Sequence, residues 1–227
     1  MAYYPIMVEV EDREVVVVGG GEVAARKVQG LVEAGARVRV VAPEVCERIA
    51  RAVHQGAVEW VAKRFEPSDL AGAVLAVSAA DSEEVNRAVA VAARDRGVLV
   101  NVVDRPQLCS FIVPSVLRRG RLVLAVSTSG ASPAVAARLR RQLEEFIGPH
   151  WEEYLELLAR VRGWVLKNVP AGSRREQLLK ALADPALEAM VAQGQWAKLQ
   201  QWLRDRLGEG FSLKTVGFEP GGGGWKR

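Results

Sequence analysis

The first strong element, Val15-Val16-Val17-Val18, is an unbroken run of four β-branched residues, the pattern of a parallel strand buried on both faces. It ends in Gly19-Gly20-Gly21 and gives way to Glu22 to Glu33, where Val23, Ala24, Val28, Leu31 and Val32 recur on one side at helical spacing. Gly35 stops that helix, and Arg37 to Val41 reads as a second strand. Ala57 to Val61 and Val74 to Ser78 predict two more. Asp81, with Glu84 three residues later, predicts a capping pair for a helix running to Arg94. Gly97 separates that helix from a strand over Val98 to Val103, which ends at Asp104. Strands alternating with helices imply a parallel sheet joined by right-handed crossovers.

After Pro114 the pattern changes. Leu122 to Ser127 predicts one more strand, and Ser132-Pro133 is an N-cap followed by proline at the first helical position, opening a helix that carries Arg138, Arg140 and Arg141. From His150 to about Leu207 the periodicity is helical throughout, broken at Val169-Pro170-Ala171-Gly172 and at Asp184-Pro185. The stretch from Gly208 to Arg227, with Gly221 to Gly224 in a row, predicts a loose tail. Five of the six tryptophans lie between residues 151 and 227, at spacings that suit core or interface anchors better than ligand platforms.

The glycine turn carries the first chemistry. Gly19-Gly20-Gly21-Glu22-Val23-Ala24 satisfies G-x-G-x-x-G/A between a strand and a helix near the start of a domain. The first glycine allows the tight turn, the second lets backbone approach a pyrophosphate, and the small third residue lets helix and strand pack closely. Amides at the helix start would then face the anion. A bare glycine-rich turn is the competing reading, but strand, spacing and helix all agree with dinucleotide binding. The second strand lacks the acidic residue that normally ends it near the ribose; Val41-Ala42-Pro43 stands there, with Glu44 just beyond, so either Glu44 or backbone at Ala42 and Pro43 must serve. No arginine occupies residues 42 to 47 to take a 2′-phosphate, which favours NAD over NADP.

Ligands of open parallel sheets bind beyond the carboxyl ends of the strands, and Asp104 is the titratable residue best placed there, with Asn101 three residues before it. Position alone leaves Asp104 equally a general acid/base or a turn residue before Arg105-Pro106. His54 and His150 read as a surface residue and a helix-start residue. Ser127-Thr128-Ser129-Gly130-Ala131-Ser132-Pro133 is a second hydroxyl-rich strand-to-helix turn, able either to bind carboxylates through its amides or simply to cap.

Composition narrows the picture. With 49% hydrophobic residues in 227 the chain can build a core, and its two isolated cysteines and two histidines assemble neither a disulfide framework nor a zinc site, so no metal ligands are assigned. No uncharged apolar run approaches the roughly 18 residues that span a bilayer, and the N-terminus lacks a basic region followed by an apolar one; the expectation is a cytoplasmic protein without membrane contact. The net charge of +4 is uneven. Residues 1 to 113 hold 13 Lys and Arg against 16 Asp and Glu, whereas residues 114 to 227 hold 18 against 11. A basic second half could meet nucleic acid, a membrane surface or a small polyanion. No helix-turn-helix or interleaved basic-aromatic pattern supports nucleic acid.

Four blocks, in order, are similar to one family. Val15 to Lys27 with its GGGxVAxRK pattern, Asn101-Val-Val-Asp104, Phe111-Ile-Val-Pro114-Ser115 and Ala125 to Pro133 resemble the precorrin-2 dehydrogenases of siroheme biosynthesis, which occur alone or as the N-terminal part of siroheme synthases. The resemblance implies the α/β fold class: a Rossmann-type parallel sheet binding NAD over residues 1–113, a dimerisation segment over 114–148 and a small all-helical domain over 149–207, followed by the tail at 208–227. It implies oxidation of precorrin-2, a carboxylate-rich tetrapyrrole, to sirohydrochlorin by a homodimer. Asp104 takes the acid/base role, and Gly19, Gly20, Gly21, Glu22, Val23, Pro43, Glu44 and Asn101 are the cofactor contacts. Ser127, Thr128, Ser129 and Arg138 are the substrate candidates, with Arg118, Arg119, Arg121, Arg140 and Arg141 as further partners for carboxylates. At Ser129 the family usually has the first of two glycines. Fe2+ insertion into sirohydrochlorin and a purely NAD-sensing role remain as alternative functions.

Overall fold

The computed structural model describes residues 3–221. The chain divides into two compact units, Met1–Val113 and Pro114–Arg227.

In the first unit β1 (Glu14–Val18), α1 (Glu22–Glu33), β2 (Arg37–Val41), α2 (Glu47–His54), β3 (Val58–Val61), β4 (Leu75–Ser78), α3 (Glu83–Asp95) and β5 (Leu99–Val102) follow one another, with 3-10 turns at Pro67–Leu70 and Pro106–Leu108. The sheet is parallel throughout, in the order β3-β2-β1-β4-β5. β1 is central, which is why its valines are wholly apolar. Val15 and Val17 enter the cluster under α1 and α2 with Ala24, Val28, Val38 and Ile49, while Val16 and Val18 enter the opposite cluster under α3 with Val89, Ala93 and Val100. The order in which strands are added reverses between β1 and β4, with β2 and β3 on one side and β5 on the other, the switch point at which such sheets open a crevice.

The elements expected from periodicity are present with ends moved by a residue or two, and two details, at Asp81 and at the last strand, differ. Asp81 does not cap α3; Ser82 occupies the N-cap and its hydroxyl accepts from the Val85 amide, because the chain turns into the helix one residue later. His54 is the last residue of α2. The last predicted strand does not join the parallel sheet. It is β7 (Leu122–Val126), paired antiparallel with β6 (Ser115–Arg119), a strand that periodicity missed because Arg118 and Arg119 interrupt its apolar residues.

The second unit continues with α4 (Pro133–Phe146), α5 (His150–Asn168), α6 (Ser173–Ala181), α7 (Pro185–Ala192), α8 (Trp196–Leu207) and a 3-10 turn at Lys214–Val216. Tyr154, Leu157, Val161, Val165, Leu187, Val191, Leu199 and Leu203 form its helical core, with Trp151, Trp164, Trp196 and Trp202 packed against it. The tail expected to be loose is ordered in its first part: Phe211 is 0% exposed, and Leu213 and Phe218 are buried in the same core. Two aromatic rings and a leucine bury more apolar area than the glycines around them forfeit in chain entropy. Gly222 to Gly224 and Trp225 lie outside the described residues.

Candidate functional site

The glycine turn sits where β1 ends. Gly19 has φ +123°, and a Cβ there would lie 2.4 Å from the Ala79 carbonyl oxygen beyond β4. A Cβ on Gly20 would come within 1.8 Å of the Glu44 carbonyl oxygen, so the segment after β2 lies directly on this glycine; the Cys46 amide donates to the Gly20 carbonyl at 2.7 Å. Gly21 differs from both. It is the N-cap of α1 without a side-chain cap, and a Cβ there would meet nothing within 4 Å. The first amides of α1 thus open onto free space with no upstream carbonyl to bind, the environment a pyrophosphate needs. These features fit a dinucleotide: two glycines forced by close backbone approach, and a third facing the space the phosphates would fill.

Glu22 and Val23, at the opening of α1, are exposed, and Glu22 pairs with Arg48 of α2 at 3.4 Å. Arg48 also donates to Gln29 at 2.8 Å, so this nearest arginine past residue 47 is engaged with α1. Pro43 and Glu44 are exposed after β2. The Ala42 carbonyl is not free for a ribose: the indole N–H of Trp60 donates to it at 2.9 Å. Trp60 was invisible as a site residue in the sequence. The register that sets Val40 opposite Trp60 in neighbouring strands is what brings the ring to Ala42. Glu44, with its exposed side chain, and the Pro43 backbone remain as ribose candidates.

Asp104 follows β5 in a left-handed conformation, φ +58°, which an aspartate tolerates better than most side chains. The turn is held by the Val103 amide donating to Ser78 at 2.9 Å and the Arg105 amide to Val102 at 3.2 Å. Its carboxylate is exposed. Asn101, expected among the cofactor contacts, has its side-chain amide engaged within the unit. It is 8% exposed, and its amide nitrogen donates to the Phe111 carbonyl at 3.1 Å and to the Cys109 sulfur at 3.6 Å. A buried amide must satisfy its donors, and the returning segment 109–111 is what lies within reach.

In the second unit the hydroxyl turn is internally bonded. The Ser129 amide donates to the Ser127 hydroxyl at 3.1 Å, Thr128 exchanges two 3.0 Å bonds with the backbone of Ser132, and Ser132 accepts from the Val135 amide. Ser129 adopts φ +53°, a left-handed conformation uncommon for a residue with a side chain. The turn is therefore present and capped; Ser127 and Ser129 remain exposed on it. The arginines separate into two groups. Arg119 and Arg140 both pair with Glu144, and Arg121 pairs with Glu156 at 2.9 Å. Arg118, Arg138 and Arg141 are exposed and, among the described residues, form no ion pair with a carboxylate.

Residues 6–115 match the family described as "Putative NAD(P)-binding", and residues 119–145 match "Sirohaem biosynthesis protein central". The siroheme synthase of Methylobacillus flagellatus is 40% identical over 195 residues, covering 86% of this chain and 42% of that protein. That of Photobacterium profundum is 40% identical over 203 residues, covering 89% and 43%. The solved structure of SirC, precorrin-2 dehydrogenase, superposes with a TM-score of 0.73 at 27% identity, covering 89% of this chain and all of that one. The chain is thus similar, over most of its length, to siroheme synthases and to a precorrin-2 dehydrogenase. It spans less than half the length of the curated siroheme synthases it matches. The glycine turn, Glu44 and Asp104 fall within the residues 6–115 that match the first description, and the hydroxyl turn, Arg138 and Arg141 within the residues 119–145 that match the second.

Proposed function

We propose that the chain is an NAD-dependent dehydrogenase that oxidises precorrin-2 to sirohydrochlorin in siroheme biosynthesis. The observation that carries this reading is the combination, in one parallel sheet, of an open glycine turn at the end of β1 and Asp104 displayed by a left-handed turn after β5. The match along the whole length of SirC, precorrin-2 dehydrogenase, supports the substrate.

The oxidation removes a hydride and a proton from the reduced macrocycle. NAD+, when bound, supplies the hydride acceptor. Gly21 would admit its pyrophosphate, the amides at the start of α1 would hold it, and Glu44 would meet the adenosine ribose. Asp104 takes the proton: its carboxylate is exposed at the carboxyl edge of the sheet, where a substrate can reach it, and a positioned base is worth roughly 10²- to 10⁴-fold in rate. Asp104→Ala is therefore expected to retain NAD+ binding and lose at least a hundredfold in NADH formation from precorrin-2, read anaerobically by absorbance. Undiminished turnover would remove Asp104 from the mechanism.

The same reading makes the protein a cytoplasmic homodimer. No helix among the described residues is long and apolar enough to cross a membrane. Of the β6–β7 hairpin only Leu117 is buried, and α4 displays Val135, Leu139 and Phe146, the last 86% exposed. Apolar surface of this kind suits a second copy. Light scattering should give the mass of a dimer, and Leu139→Asp with Phe146→Asp should halve it.

A further inference from the structure

The parallel ladder between β2 and β3 ends at Ala42, and its last acceptor is not met by backbone. The Ala42 amide still donates to the Val61 carbonyl at 3.3 Å. Continued pairing would bring the Lys63 amide to the Ala42 carbonyl, but that amide turns back to the Val61 carbonyl at 2.9 Å. β3 lies at the edge of the sheet, so no further strand supplies a donor on that side. The indole N–H of Trp60 takes the place of the missing amide, 2.9 Å from the Ala42 oxygen. Ala42 is 5% exposed, and a carbonyl left unmet in such a position is costly. The Trp60 residue itself remains 36% exposed, so the ring contributes this bond more than it fills the core. The bond closes a clamp on residues 42–46. Ala42 is held at one end by Val61 and Trp60; at the other the Cys46 amide donates to the Gly20 carbonyl at 2.7 Å. Between them the Glu44 carbonyl oxygen lies so near Gly20 that a Cβ there would be 1.8 Å away. Glu44 thus presents an exposed side chain from backbone fixed on both sides.

We propose that Trp60 is a positioning residue for the cofactor: by holding the Ala42 carbonyl it fixes the segment that presents Glu44 to the adenosine ribose, and so sets a preference for NAD+ over NADP+. A carboxylate held in place accepts from the ribose hydroxyls and repels a 2′-phosphate. On a loosened segment it does both less well, because it must be ordered when the ligand binds and can swing away from a phosphate. This rests on the reading of the first unit as NAD-binding with Glu44 at the ribose.

Trp60→Phe keeps an aromatic ring and removes the N–H donor. NAD+ and NADP+ are titrated by calorimetry into the wild-type chain and the variant. Kd for NAD+ is expected to rise about fivefold, the effect of one hydrogen bond, and Kd for NADP+ by less than about twofold, so that selectivity falls. A merely structural loss would weaken both alike. Equal weakening of the two, an unchanged Kd for NAD+, or no preference between them in the wild-type chain would overturn the proposal. Glu44→Gln supplies the second test. Trp60→Phe added to it should move neither Kd by more than about twofold, since the group being positioned is already gone; a further fall in selectivity would show that the effect does not run through Glu44 and would sink the proposal. A wild-type chain that binds no NAD+ would bring down the proposal and the reading of the first unit together. One that binds NAD+ and forms no NADH from precorrin-2, with selectivity lowered in Trp60→Phe, would count against the reaction alone and leave Trp60 in its role.

Discussion

Gly20 and Gly21 are adjacent, chemically identical and under different constraints. A methyl group on Gly20 strikes the Glu44 backbone at 1.8 Å, and backbone cannot yield as a side-chain tip can. Gly20→Ala should thus cost stability, about 1 to 3 kcal/mol as an overpacked position, and lose NAD+ binding with it. On Gly21 the same methyl meets nothing, and its φ of −81° suits alanine. Gly21→Ala should leave thermal unfolding unchanged and weaken NAD+ alone, since only the bound pyrophosphate would occupy that space. Denaturation and NAD+ titration of both variants check the pair. The glycine motif was legible in the sequence, but the division of labour within it was not, because it depends on where residues 44 and 79 return in space.

At the scale of elements, patterning served the parallel sheet well and the hairpin poorly. Val15 to Val18 announce a strand whatever surrounds them, because four β-branched residues in a row suit only a strand covered on both faces. β6 announces nothing: its Arg118 and Arg119 make sense only once β7 pairs with it and Arg119 meets Glu144 of α4. The hairpin is further tied to α5 through Glu156, which pairs with Arg121 and Arg160. Partial burial would raise the Glu156 pKa, yet the two guanidiniums outweigh it and hold the carboxyl below its ordinary value. A lowered folded pKa contributes stability above the unfolded value of about 4.5, lost as pH falls through the folded value. The midpoint of thermal unfolding of the second unit should therefore drop as pH is lowered from about 5 to 3, with a shallower slope in Glu156→Gln.

For the molecule as a whole, the sequence suggested a core ending at Leu207, and the helical unit extends past it. Phe211, without exposed surface, packs edge-on against Trp164 with ring centroids 5.2 Å apart, and its carbonyl accepts from Arg204. Phe211→Ala should cost about 3 to 5 kcal/mol, the range for emptying a core aromatic site, and a chain ended after Leu207 should lose the cooperative unfolding of this unit while residues 1–113 retain theirs. Calorimetry of the two variants tests both statements. By itself the sequence determined what depends on neighbours along the chain: the strand and helix periods, the glycine turn and the Ser132 cap. Only the tertiary structure decided what depends on residues far apart in sequence. The hydrogen bond of Trp60 takes the Ala42 carbonyl, the Asn101 amide reaches the Phe111 carbonyl, and Phe211 is drawn into the core. Each of these follows from a register or a packing that brings distant groups together, where desolvation obliges every polar atom to find a partner and every apolar ring a cover.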